Sequence, residues 1–321
     1  MIIVTGAAGF IGSCLLWKLN KEGISDLILV DEKITPEKKL NIENKKYIDF
    51  IDKDKFLSLI ESDKMGGKVD AIFHLGATSS TLVTDETYLK KNNVEYSKEL
   101  AKYAVKNGVR FIYASSAATY GDGENGYSDE DENTYKLKPL NAYGRSKQEF
   151  DLWVLRNNLG DKVVGIKYFN VFGPNEYHKG DMRSVIAKSF DEVVKTKKMR
   201  LFKSYKKEYK NGEQQRDFIY VKDAVRATYY FLENRGKNGI YNIGTGKARS
   251  WNDLANALFK ALDMSARIEY FDMPEELRPR YQYFTEAETA KLRRAGYEED
   301  FTNLEDSVKD YAGFLKNKAY L

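Results

Sequence analysis

Little in this chain could hold a disulfide or a transition metal. It has one cysteine, Cys14, and two histidines, His74 and His178. An internal disulfide is therefore impossible, and a dedicated metal site is not expected. Cys14 lies in an apolar helical stretch with Leu15, Leu16 and Leu19, which favours a packed small residue over a catalytic thiol. His74 ends an apolar run and reads as a core histidine with its hydrogen bonds satisfied; His178 reads as structural. No apolar stretch approaches the ~20 residues of a membrane span. The opening Met1-Ile2-Ile3-Val4 turns at once into a glycine-rich loop, without the lead-in of a secretion signal, so a cytoplasmic location is expected. Five prolines in 321 residues, and no low-complexity segment, give no sign of a linker and point to two intertwined lobes. Neither charge dominates: 52 basic residues face 48 acidic ones, for a net +4. That balance gives no reason to expect a nucleic-acid partner.

What is present is alternation. Short apolar runs, Ile2–Val4, Leu27–Val30, Ala71–His74, Phe111–Ala114 and Val163–Tyr168, are separated by helical patterns. Helices are expected over Phe10–Lys21, about Glu86–Asn107 and about Asn141–Asn158. Near-continuous apolar strands between helices predict an α/β fold, a Rossmann-type doubly wound parallel sheet with a smaller intertwined α/β substrate lobe. The division expected is 1–174 plus about 217–245 for the dinucleotide, with 175–216 and about 246–321 for the substrate. The lysine-rich piece 206–212 reads as a solvated loop. Thr285-x-x-Glu288 and Thr302-x-x-Glu305 both fit the capping box that starts a helix.

The first loop, Thr5-Gly6-Ala7-Ala8-Gly9-Phe10-Ile11-Gly12, joins the first strand to the first helix. Gly6 allows the tight turn, Gly9 lets backbone approach a pyrophosphate, and Gly12 lets helix and strand pack closely. The helix N-terminus then offers unpaired N–H groups and a positive dipole end to phosphate. Asp31 ends the next strand about twenty residues on, where a ribose-binding acid belongs. Asp31 favours NAD; Lys33, Lys38 and Lys39 could instead pair with the extra phosphate of NADP. The residues leave that choice open.

Ser115-Ser116 follows the Phe111–Ala114 strand, at the ligand-binding end of such a sheet. Tyr143 and Lys147 lie i, i+4 on one helix face. A phenol with pKa ≈ 10 is a poor base near neutrality, and a nearby ammonium is expected to lower it. Lys147 can also reach a ribose hydroxyl, and Ser116 can hydrogen-bond the substrate oxygen beside Tyr143.

Together these elements resemble the extended short-chain dehydrogenase/reductase superfamily. Further stretches narrow the likeness: His74-Leu75-Gly76-Ala77-Thr78-Ser79-Ser80-Thr81, Tyr168-Phe169-Asn170-Val171-Phe172-Gly173-Pro174, His178-Lys179-Gly180, Gln215-Arg216-Asp217-Phe218 and Arg280-Tyr281-Gln282-Tyr283-Phe284-Thr285. This set is similar to the ADP-glyceromanno-heptose 6-epimerases nearly end to end. The resemblance implies inversion of carbon 6 of an ADP-linked heptose through a transient ketone, with bound NADP (NAD the alternative), in lipopolysaccharide precursor synthesis. It implies a homo-oligomer, a pentamer in that family. Tyr143 would be one base and Lys179 the other, with Ser116 and Lys147 beside Tyr143.

The same resemblance assigns Phe10, Ile11, Asp31, Glu32, Lys38, Lys53, Leu75, Gly76, Ala77, Thr78, Ser79, Asn92, Lys147, Val171 and Lys179 to the cofactor. Ser116, Asn170, Phe202, Lys203, Ser204, Tyr205, Arg216 and Tyr281 go to the substrate, Arg216 through its bidentate fork. Asp181 and Lys188, also placed on the substrate, depart from the family's usual residues and bear on which sugar or nucleotide is taken. A second base is what the chemistry asks for, since re-reduction on the other face needs a proton donor on that side. Rival readings are another nucleotide-sugar epimerase or a dehydratase, and a non-catalytic dinucleotide sensor. A dehydratase would place an acidic pair near Ser116 or Thr119, where Ala117 and Ala118 stand. A sensor would have a broken Ser–Tyr–Lys set, and this one is complete.

Overall fold

The computed structural model describes residues 1–32 and 34–321, with Arg280 by its backbone only; Lys33 lies outside the described residues. Twelve strands are described in chain order: β1 (Ile2–Thr5), β2 (Leu27–Asp31), β3 (Asp49–Asp52), β4 (Ala71–His74), β5 (Arg110–Ser116), β6 (Val164–Tyr168), β7 (Asn170–Phe172), β8 (Met199–Phe202), β9 (Gln215–Tyr220), β10 (Gly239–Ile243), β11 (Ala248–Ser250) and β12 (Ile268–Phe271). Seven of them form one sheet in the order β10-β6-β5-β4-β1-β2-β3, and every pairing in it is parallel. The order reverses direction at β1, between β4 and β2, which opens a crevice at the strands' carboxyl ends.

The apolar runs are continuous because both faces of the sheet are covered. Ile2, Val4, Leu27 and Leu29 pack with Leu15, Leu16 and Leu19 of the helix Phe10–Lys21. Ile3, Ile28, Val30 and Ile72 point the other way, toward Leu100 and Ala104 of Tyr96–Lys106 and Phe150 and Val154 of Ala142–Arg156. Cys14 is fully buried, as its apolar neighbours require. The helix expected over 86–107 exists, but its middle, Lys90–Glu95, widens to π-helical hydrogen bonding.

The second half builds two small sheets, β11-β9-β7 and β12-β8. Two helix starts differ from the sequence reading. Thr285 is buried and accepts from the Asp217 amide at 3.3 Å; with its hydroxyl committed to β9, it caps nothing, and the helix begins only at Ala290. Thr302 sends its amide and hydroxyl to Asp223, so Asn303 caps the helix Leu304–Asn317 in its place. The lysine-rich 206–212 piece is a largely exposed turn. No described helix is long and apolar enough to cross a membrane.

Candidate active site

A cavity of about 800 Å³ opens at the carboxyl ends of β1, β2, β4 and β5. The glycine loop forms its floor. Gly6 sits at φ +65, and a Cβ there would meet the Gly76 backbone at 2.6 Å; a Cβ on Gly12 would lie 2.1 Å from the Gly6 carbonyl. At Gly9 the only close neighbour of a Cβ is the Gly6 carbonyl, at 3.0 Å. Gly9 also brings no side chain to cap the helix Phe10–Lys21. The first-turn amides are therefore left for an anion in the cavity, and these residues fit a dinucleotide's pyrophosphate.

Asp31, buried at the end of β2, is committed. One carboxylate oxygen accepts from the Ala8 amide at 2.9 Å, the other from the Glu32 amide at 2.9 Å and the Lys38 ammonium at 3.3 Å. Lys38 also approaches Glu32, at 3.5 Å, and so does Lys53, at 4.0 Å, while Lys53 donates to Asn92 at 3.0 Å. The loop Leu75–Ser79 is held by Asn93, which bonds the Thr78 amide and carbonyl at 2.8 and 3.1 Å. Gly6, Gly9, Gly12 and every residue that the family likeness gave to the cofactor line this cavity, whereas Lys39 does not. His74 does not: buried beneath it, it bonds Thr5 at 2.7 Å and Ser97 at 2.8 Å, as a satisfied core histidine.

Ser116, Tyr143 and Lys147 stand together on the wall formed by β5 and the helix Ala142–Arg156. Asn141 caps that helix by accepting from the Gly144 amide at 2.8 Å, and at Gly144 a Cβ would strike the Ala118 carbonyl at 2.7 Å. The expected electrostatics are reversed in the chain by itself. Burial pushes the Tyr143 phenol up, against a hydrogen bond with Ser116 that lowers it. Lys147 is itself depressed, to about 8, chiefly by burial and against the charge of Asp151. Its ammonium donates to the Ala114 carbonyl at 2.9 Å, so it is spent on a neutral acceptor and no ammonium effect lowers the phenol.

Behind the wall lies a group the sequence reading missed. Asp151 and Lys167 are both fully buried and 2.8 Å apart. Asp151 also accepts from Tyr113 at 3.0 Å and Ser115 at 2.7 Å, and Lys167 donates to Thr119 at 2.8 Å. The signal was present: Tyr143, Lys147 and Asp151 recur every four residues on one helix face.

Lys179 reaches the cavity from a short 3₁₀ turn, Tyr177–Met182, in which Gly180 is non-helical at φ 53. Its ammonium rests 5.2 Å above the Phe10 ring, the first residue past the glycine loop. Burial lowers its pKa, opposed by the nearby Glu176 charge. Asn170, Asp181 and Lys188 also line the cavity, with Lys188 donating to the Asp181 carbonyl at 3.3 Å.

The remaining substrate candidates, Phe202, Lys203, Ser204, Tyr205, Arg216 and Tyr281, are not among the lining residues. Arg216 is buried, donating to the Gln215 and Gln282 carbonyls and stacked 5.1 Å from Tyr281. Among the described residues Arg216 makes no ion pair, and the neighbouring Asp217 carboxylate is taken by Thr245, Gly246 and Ala287. Gln282 and Trp251, which do line the cavity, separate this cluster from it. Neither stood out in sequence.

Residues 2–244 match the NAD dependent epimerase/dehydratase family. The chain is 52% identical over 311 residues to the ADP-L-glycero-D-manno-heptose-6-epimerase of Nitratidesulfovibrio vulgaris, covering 97% of this chain and 96% of that protein. It is 47% identical to the enzyme of the same name from Fusobacterium nucleatum, end to end in both. The crystal structure of the Helicobacter pylori ADP-L-glycero-D-manno-heptose-6-epimerase superposes with a TM-score of 0.81 at 27% identity, over 98% of this chain and 96% of that one. A Rossmann sheet, a glycine loop beneath a dinucleotide-sized cavity and a complete Ser–Tyr–Lys set agree with those likenesses, and the chain belongs to the NAD dependent epimerase/dehydratase family, among its ADP-L-glycero-D-manno-heptose-6-epimerases.

Proposed function

We propose that this enzyme inverts carbon 6 of ADP-D-glycero-D-manno-heptose, giving the L-glycero isomer, with Tyr143 and Lys179 as the two proton-transferring groups and NADP as the cofactor. The observation that carries the reading is the meeting in one cavity of a phenol on a helix and a half-buried ammonium on a separate turn, with no ion pair among the described residues. A nicotinamide nucleotide held by the glycine loop, Asp31 and Lys38 would supply the hydride acceptor and donor for carbon 6. The chain's part is proton transfer on each face of the ketone. Tyr143, hydrogen-bonded to Ser116, serves one face. Lys179, its basicity brought toward neutrality by burial, serves the other once the ketone has turned. Epimerisation is redox-neutral overall, so the nucleotide need never leave.

NADP is favoured over NAD because both Asp31 oxygens are occupied, while Lys38 and Lys53 converge at the end of β2 and can turn to a 2′-phosphate. Residues 1–174 and about 217–245 would hold the dinucleotide and the rest the sugar nucleotide. Arg216 would reach the substrate diphosphate only if Gln282 shifts aside.

Two measurements test this. Incubation with ADP-heptose and with UDP- and GDP-hexoses should give turnover of the heptose alone; equal turnover of a hexose at carbon 4 defeats the substrate assignment. Nucleotide released by denaturing the purified protein should have the mass of NADP, and NAD in its place reverses the cofactor choice.

A further inference from the structure

Lys179 stands on a short 3₁₀ turn interrupted at Gly180, so contacts from outside the turn must fix where its ammonium points. The residue before it supplies the connection. His178 accepts at Nδ1 from the side-chain amide of Asn41, at 3.1 Å. Asn41 is fully buried on the helix Pro36–Ile42, and the same nitrogen donates to the Ala8 carbonyl at 2.9 Å. Both amide hydrogens are thereby used. His178 must then present a bare Nδ1 and carry its proton on Nε2. Among the described residues the Asn41 carbonyl oxygen has no hydrogen-bond partner, so the two donor bonds are what orient the side chain.

These bonds close a circuit. Ala8 lies in the glycine loop, held on its amide side by Asp31 at 2.9 Å. From its carbonyl the path runs to Asn41, to His178, one residue on to Lys179, and through the 5.2 Å cation–π contact to Phe10, two residues from Ala8. Lys38, on the same helix as Asn41, bonds Asp31 at 3.3 Å. Burial lowers His178 to about 4, with Lys38 and Lys179 adding to the effect, so both cations flank a neutral ring.

We propose that Asn41 and His178 are positioning residues for Lys179, a clip that sets the second base by reference to the dinucleotide loop. The inference rests on Lys179 being that base. Neither side chain touches the reacting carbon in this scheme. The clip narrows the directions the ammonium samples, and a misplacement near 1 Å can cost about 10²-fold in rate.

The test uses the nucleotide-bound enzyme and two reactions. One is epimerisation, which needs both bases. The other is dismutation of an analogue that is an aldehyde at carbon 6: one hydrated aldehyde is oxidised to the carboxylate, another is reduced to the alcohol, and the cofactor ends as it began. Tyr143 alone suffices for that. His178→Phe should lower kcat for epimerisation by about 10–10²-fold, with KM, nucleotide content and dismutation close to wild type. His178→Asn, whose Oδ1 can stand in for Nδ1 as acceptor, should recover most of the loss. Asn41→Leu, which also frees the Ala8 carbonyl of the glycine loop, should lose at least as much epimerisation as His178→Phe.

Wild-type epimerisation by His178→Phe overturns the clip, while loss of epimerisation in Lys179→Met run alongside keeps the two-base reading intact. Equal loss of dismutation or of nucleotide in His178→Phe also overturns it, because the role would then be general packing. Failure of His178→Asn to recover activity overturns the hydrogen bond as the cause. Normal epimerisation by Lys179→Met removes the base and the clip together.

Discussion

Tyr143 and Lys179 line one cavity but are held by opposite means. Tyr143 is on a helix of fifteen residues with a side-chain N-cap, and that helix is bolted to β5 and β6 by the buried Asp151–Lys167 pair. Lys179 is on a six-residue 3₁₀ turn interrupted at Gly180, with no side-chain cap. Its ammonium has a ring beneath it and, among the described residues, no ion pair. The first group is fixed by regular structure, the second by tertiary contacts from elsewhere in the chain. A base on regular structure can be read from spacing; one on tertiary contacts can be placed only once the fold is known.

The largest effect should come from the rigid side. Tyr143→Phe removes only the phenolic oxygen from a helix otherwise anchored by Asn141, Lys147 and Asp151. Turnover should fall by about 10³–10⁴-fold, the upper range for general acid–base groups, while nucleotide released on denaturation stays at the wild-type amount. Activity within a few-fold of wild type would end the role of Tyr143.

Next is the bolt itself. Lys167→Met leaves the Asp151 carboxylate buried without its ammonium, and breaking one side of such a pair costs about 3–5 kcal/mol. Urea denaturation should show that loss. The exposed pair between Arg145 of this helix and Glu86 of another, at 2.6 Å, offers the contrast: Glu86→Gln should cost at most about 1 kcal/mol. Equal costs for the two would mean the helix is not fastened where the structure puts the fastening.

The side held by tertiary contacts comes third. Lys179→Met should lower epimerisation by about 10²-fold and, because Tyr143 remains, still dismutate the carbon-6 aldehyde. A variant that fails at both while keeping its nucleotide would point to a lysine that positions the whole substrate.

The same contrast explains what was legible beforehand. Strands of the large sheet are near-continuous apolar runs because both faces are covered, so five of the seven were read from composition. The glycine loop, Asp31 and the Tyr143–Lys147 spacing came with them, since each depends on residues close in sequence. The strand β3 escaped because only Ile51 in it is buried. The small sheets escaped because β7, β8, β11 and β12 have three or four residues each, too few for a period to show. Thr285 looked like a cap but bonds a strand 68 positions away in the chain. Phe202–Tyr205, Arg216 and Tyr281 are not among the residues lining the cavity, a matter of tertiary placement that motif matching does not register. Asn41, whose importance lies in two bonds to distant residues, left no local trace at all.

The smallest effect concerns a second buried carboxylate, one without a bolt. Asp129 is 2% exposed and accepts from the Asn242 amide at 2.7 Å. Lys291 donates to its backbone carbonyl, and no described ion pair reaches the carboxylate. Burial accordingly raises Asp129 from 3.8 to about 6. The folded state keeps this proton up to about pH 6, whereas the unfolded chain releases it near 3.8. Between those values the folded state binds more protons, so stability falls as pH rises and the penalty is complete above pH 6. The whole rise converts to at most about 3 kcal/mol. Asp129→Asn keeps an acceptor for the Asn242 amide and has no charge to bury. At pH 7 it should be more stable than wild type by about 1–2 kcal/mol, after allowing for a weaker neutral hydrogen bond. The gap should close as pH falls from 6 to 4, followed by urea denaturation at each pH. A gap that stays constant with pH would show that Asp129 is solvated in the folded protein, and that an unpaired carboxylate costs the molecule nothing.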